Sequence, residues 1–196
     1  ANRILGTGQL SLAKYLFIAA EEDRPLSTRR IEAFFGWVLE RIDLRRDIHF
    51  QTNTTIDTLD YSGTGLHEGS KVVFAACGPK RRSLCTEVPA ALRELGEFGG
   101  ARLAMPGVVV LEGPAFTGYG KAERQMRGLT DALAARGPLD ECPLIVIVDD
   151  SGFAAASLRN FLWVTFTRSN PSHDIYGVNA EYAWKHWGCD NVIIDA

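Results

Sequence analysis

A pair of matching segments constrains this chain more than any other feature. At an offset of 127 residues, LFIAAEEDRPLSTRRIEAFFGWVLERIDLRRDI (16–48) overlays PLIVIVDDSGFAAASLRNFLWVTFTRSNPSHDI (143–175) without a gap. The apolar run Phe17-Ile18-Ala19-Ala20 meets Leu144-Ile145-Val146-Ile147, and acids follow each: Glu22-Asp23 and Asp149-Asp150. Then come Ile31, Phe34, Phe35 and Val38, matched by Leu158, Phe161 and Leu162, the buried stripe of an amphipathic helix. Each helix ends on an arginine, Arg41 or Arg168, where a cation suits the helix dipole. Six residues later each copy reaches an aspartate, Asp47 or Asp174, followed by isoleucine and a second strand-like run.

The pattern predicts two β-α-β units, at about 16–50 and 143–177, produced by internal duplication within one α/β domain covering 1–196. A connection of that length favours a right-handed parallel crossover. The Arg and Asp of each unit are expected to be its structural staple, either paired or fixing the turn. KVVFAAC (71–77), GVVVLEG (107–113) and the final NVIIDA add strands. A helix is expected over 121–136, stopped by Gly137-Pro138, with loops at 63–69 and 114–120. The result is a layered α/β domain with a mixed, partly parallel sheet.

Composition excludes several classes. A net charge of −3 gives no electrostatic reason to expect nucleic acid or an anionic membrane as partner. The longest strongly apolar run, LIVIV, is far short of the ~20 residues that span a bilayer. Cys77, Cys85, Cys142 and Cys189 form no C-x-x-C pair or zinc spacing, which fits free thiols in a reducing cytoplasm. The chain does not open with methionine and reads as a piece of a longer protein.

Candidate chemistry is sparse. Glu22, Asp23, Asp149 and Asp150 stand at strand carboxyl ends, where α/β sheets bind ligands; they could hold Mg²⁺ or Mn²⁺, or cap the following helices. GTGQLSLAK (6–14) fails the P-loop spacing, although Lys14 alone could reach an anionic ligand. Asp57 and Asp60, three apart in NTTIDTLDYSG, suit either acid–base work or turn formation. YAWKHWG (182–188) gathers Trp184, His186 and Trp187, either as a stacking platform or packed on the core or another protomer. His49, His67 and His173 form no catalytic constellation, and no G-x-S-x-G elbow is present.

GQLSLAKYLFIA, ERIDLRRD, NTTIDTLDYSG and GSKVV, in that order, resemble the C-terminal domain of the UbiD-like carboxy-lyases. The matching positions are Lys14, Glu21 to Asp23, Arg41, Asp43, Arg46, Asp47, Asn53, Thr54, Asp57, Leu59, Asp60, Tyr61, Gly69, Ser70 and Lys71. Leu44 replaces a family proline; the second copy has Pro171 but carries Asn170 and His173 for the acid and second arginine. The resemblance is dense over 5–75 and looser over 140–196. It implies a non-oxidative decarboxylase of aromatic or α,β-unsaturated acids, using prenylated FMN with Mn²⁺ (or Mg²⁺) and K⁺. It places the catalytic Glu-Arg-Glu/Asp set, and most flavin and metal ligands, on an N-terminal part of the same polypeptide. This domain would then be an inactive scaffold that builds homo-oligomer contacts, with Lys14 the one candidate carried over for a place beside flavin or substrate.

Overall fold

The structure is a computed structural model and describes residues 1–20, 26–27 and 29–196. The order of elements begins with helix α1 (Asn2–Leu5), strand β1 (Tyr15–Ala19), helix α2 (Ile31–Arg41) and strands β2 (Ile48–Thr54) and β3 (Gly69–Ala76). Next come β4 (Gly99–Met105), β5 (Val108–Glu112), the long helix α3 (Tyr119–Arg136) and β6 (Leu144–Val148). Helices α4 (Ser151–Ala155), α5 (Leu158–Arg168) and α6 (Pro171–Asp174) lead to β7 (Ile175–Val178). The hairpin β8 (Glu181–Ala183) and β9 (His186–Gly188) precedes the last strand, β10 (Asn191–Asp195).

The strands form one sheet of order β1-β3-β2, one of order β4-β5-β6-β10-β7, and the separate hairpin. In the first, β3 lies parallel to β1 and antiparallel to β2. In the second, β10 lies parallel to β6 and antiparallel to β7. The two units therefore share one connectivity, and α2 and α5 start and stop at equivalent residues, 31–41 and 158–168. The parallel crossover expected between the strands flanking each helix is corrected by these pairings. A third strand inserts between them, and the strand after the helix runs antiparallel to it. Burial explains the order: β3 is buried almost throughout and takes the centre, whereas β2 is partly exposed and suits an edge.

The five-stranded sheet is covered on both faces, so its central strands are continuously apolar. In β5, Val108 and Val110 enter one core while Val109 and Leu111 enter the other. The second core lies under α3, through Met126, Leu129 and Leu133. The first is shared with the smaller sheet and with α2 and α5, through Val38, Ile42, Phe74 and Phe161. At its middle Phe17 stacks on Phe74 at 4.9 Å and meets Phe35 at 4.7 Å and Phe166 at 5.7 Å, so rings from both units interlock. Helix α3 ends at Gly137, whose φ of 91° favours glycine, and Pro138 follows. Among the described residues no helix is long and apolar enough to cross a membrane.

Candidate functional site

The polar groups of the resemblance motifs converge where the two units meet. Lys14 precedes β1 and is 7% exposed. Its ammonium lies 2.8 Å from the Asp60 carboxylate and donates to Ser62 Oγ and the Ser169 carbonyl, both at 2.7 Å. These contacts occupy the three donors a lysine has, with the Thr167 carbonyl farther off at 3.5 Å. Ser169 lies just beyond α5, so this one side chain ties the first unit to the second. Beside it the hydroxyls of Tyr15 and Ser169 are 2.6 Å apart, and burial drives the Tyr15 phenol well above its ordinary range. Burial would raise Asp60, but the bonds from Lys14 and from the Ser62 hydroxyl and amide outweigh it and hold the carboxyl below its usual value.

The G-S-K residues add to the same seam. Ser70 is fully buried, donates to Asn170 Oδ1 and accepts from the Ser172 amide at 2.8 Å. Lys71, 1% exposed, donates to the Ser11 and Thr55 carbonyls at 2.6 Å, and desolvation lowers its pKa. Gly63 permits the loop between β2 and β3 to fold back, because a Cβ there would stand 2.1 Å from the Glu68 carbonyl oxygen.

The paired aspartates perform one job. Asp47 Oδ2 accepts from the Asp43 amide at 2.9 Å, and Asp174 Oδ2 accepts from the Asn170 amide at 2.5 Å. Each carboxylate thereby closes the turn that stops its helix. The arginines do not pair with them. The Arg41 guanidinium lies over Trp37 at 4.4 Å and pairs with Glu40 at 3.1 Å; that of Arg168 lies over Trp163 at 5.4 Å and bonds Asp149 at 2.9 Å. Asp57 also forms a turn, accepting from the Leu59 amide at 2.8 Å.

Tyr61 and Ser62 continue outward from the Lys14 cluster to one lip of a cleft of about 300 Å³ at the carboxyl ends of β5, β6 and β10. Asp149, Asp174, Asp195 and Arg168 also line it. Burial raises Asp174 to about 6, and raises Asp195 with help from Asp149. Burial first, then Asp195, pushes Tyr176 in the same wall up to about 12. The strand-end acids are otherwise committed: Asp149 bonds Arg168, and Asp150 caps α4 by accepting from the Phe153 amide at 2.8 Å. Glu22 and Asp23 lie outside the described residues. Among the described residues no group of three His, Cys, Asp or Glu side chains is placed to hold a metal ion.

The YAWKHWG stretch divides. Trp187 packs edge-on against Phe50 at 5.3 Å, whereas Trp184 is fully exposed at the tip of the β8–β9 hairpin. His186 and His49 face each other at 5.2 Å. Spacing does not reveal Ser169, Asn170, Tyr176 or Asp195 as parts of the seam and cleft. Their one signal is a place at element ends, which marks them only once the strand order is known.

Residues 1–76 match the family model for the 3-octaprenyl-4-hydroxybenzoate carboxy-lyase C-terminal domain. A Chlamydia pneumoniae protein, named as a subunit of 4-hydroxybenzoate decarboxylase, is 33% identical over 93% of this chain, which covers 29% of that protein. An uncharacterized protein of Chlamydia trachomatis serovar D is 35% identical over 90% of the chain, covering 28% of its own length. The chain thus spans less than a third of these relatives, whose likeness runs on through the second unit. No solved structure matches.

Proposed function

We propose that the chain is the C-terminal scaffold and assembly domain of a UbiD-like decarboxylase, inactive alone, a reading supported by the family model over residues 1–76 and by the relative named as a decarboxylase subunit. The whole enzyme, on this reading, is a cytoplasmic non-oxidative decarboxylase of aromatic or α,β-unsaturated acids. Its catalytic residues lie on an N-terminal part of the same polypeptide. The observation that carries the reading is the state of Lys14: the motif residue placed to meet an anionic ligand directs every donor to Asp60, Ser62 and Ser169. Groups used in this way join the two units and are withdrawn from chemistry. The shared strand order of those units supports their origin by duplication within a single domain, 1–196.

Prenylated FMN, with Mn²⁺ and K⁺, would supply the electron sink for loss of CO₂ in the whole enzyme. Of the strand-end acids, Asp149 bonds Arg168 and Asp150 caps α4. No chemical step is assigned to them. Exposed Tyr61, Tyr182 and Trp184 are the side chains best suited to contacts with the N-terminal part or with a second copy in a homo-oligomer.

The test is CO₂ release from 4-hydroxybenzoate and cinnamate, with prenylated FMN and Mn²⁺ supplied. The full-length polypeptide is expected to turn over one of these acids and the 196-residue chain neither. CO₂ release by the chain alone would overturn the proposal.

A further inference from the structure

The walls of the cleft at the carboxyl ends of β5, β6 and β10 are of two kinds. One is apolar: Phe98 and Met126 are buried, and Phe116 and Tyr119 add two rings set edge to face at 5.4 Å. Those two rings stay 65% and 61% exposed, so they offer their faces to an incoming group. The other wall is acidic, with Asp149, Asp174 and Asp195 set against one arginine among the described lining residues. That arginine, Arg168, is already bonded to Asp149 at 2.9 Å. Among the described residues Asp195 receives no hydrogen bond and no ion pair, so its carboxylate faces the cleft without a partner. Asp174 accepts from the Asn170 amide alone.

The two walls together select a ligand. An anion meets uncompensated charge of its own sign, since the one lining arginine is taken. A metal ion finds no three of these acids placed to hold it. A ring that carries a positive charge suits both walls, because apolar and aromatic surface takes the ring and a carboxylate takes the charge. We propose that this cleft binds a small aryl-alkyl ammonium cation, its ring against the Phe98–Met126 side and its ammonium on Asp195 and Asp174. Asp195 is the anchor, having no other partner, and Asp174 keeps its bond from the Asn170 amide. An ammonium has three donors, enough for both carboxylates. A cleft of about 300 Å³ stands at the small end of ligand pockets and takes one ring with a short arm. Electrostatics agrees with this assignment. Burial, then Asp149, raises Asp195, and burial raises Asp174 to about 6. Asp195 pushes Asp174 up by more than Lys14, whose bonds go to Asp60, Ser62 and Ser169, pulls it down. A bound cation supplies the compensating charge that the described side chains do not.

The experiment titrates the full-length polypeptide by calorimetry with 2-phenylethylamine at about pH 7.5, where an alkyl amine is protonated. Parallel titrations use 2-phenylethanol, its neutral counterpart, and 3-phenylpropionate, which carries the opposite charge. The amine is expected to bind one to one, the alcohol more weakly and the acid not at all. Asp195→Asn keeps the shape of the side chain and removes its charge. It should weaken the amine about tenfold or more and leave the alcohol unchanged. Phe116→Ala, at an exposed position, should weaken amine and alcohol alike. Far-UV circular dichroism and the urea midpoint establish that both variants are folded, and the three-ligand comparison stands without either. The proposal fails if the amine gives no saturable heat, or if the acid binds as tightly as the amine. It fails equally if folded Asp195→Asn binds the amine as the wild type does.

Discussion

Lys14 shows how residue identity and residue role separate. Its position ahead of an apolar run makes it the first candidate for an anion, yet it pairs with Asp60 and donates to groups 48 and 155 residues away. No spacing rule reaches that far. Replacing Lys14 by Met should strand the half-buried Asp60 carboxylate and cost about 3 kcal/mol or more. A partial recovery in the Lys14→Met, Asp60→Asn pair, measured by urea unfolding, would confirm the coupling. Asp174 gives a pH signature. Its folded pKa, about 6, lies above the ordinary 3.8, so the native state holds the proton more tightly than the unfolded chain. Its contribution is fully present below about pH 4 and is lost as pH rises through about 6. Asp174→Asn should flatten the dependence of the urea midpoint in that window; an unchanged slope would contradict the assignment. Asp60, held low by Lys14, acts in the opposite sense and loses stability as pH falls.

At the scale of elements, periodicity makes α2 and α5 legible because each buries one stripe. Phe161 is 1% exposed in the core shared by both sheets, so Phe161→Ala should cost about 3–5 kcal/mol in chemical unfolding. Ser157 caps α5 by accepting from the Asn160 amide at 3.2 Å, and Ser157→Ala should cost only about 1 kcal/mol. The failures have physical causes. β4 is hidden in the sequence because its register with β5 is interrupted twice, which breaks the alternation a strand shows. The β8–β9 turn places Trp184 and Lys185 at positive φ, without the glycine or asparagine that announces such turns. The expected crossover misplaces β2 and β7 because a helix-length connection fixes only that a strand follows. The central places of β3 and β10 are set by their greater burial.

For the whole molecule, the layered α/β class follows from composition and apolar pattern, but the seam between units does not. It depends on side chains brought together by two sheets whose relative placement no local pattern encodes. The proposed function turns on one point, that this domain supports a decarboxylase and holds no flavin site of its own. That point is best checked by titrating the purified 196-residue chain with prenylated FMN and Mn²⁺, followed by gel filtration with absorbance read at the flavin band. Flavin is expected to elute separately from the chain and to remain with the full-length polypeptide. Stoichiometric co-elution with the chain, lost in a folded Lys14→Met variant, would contradict the supporting role.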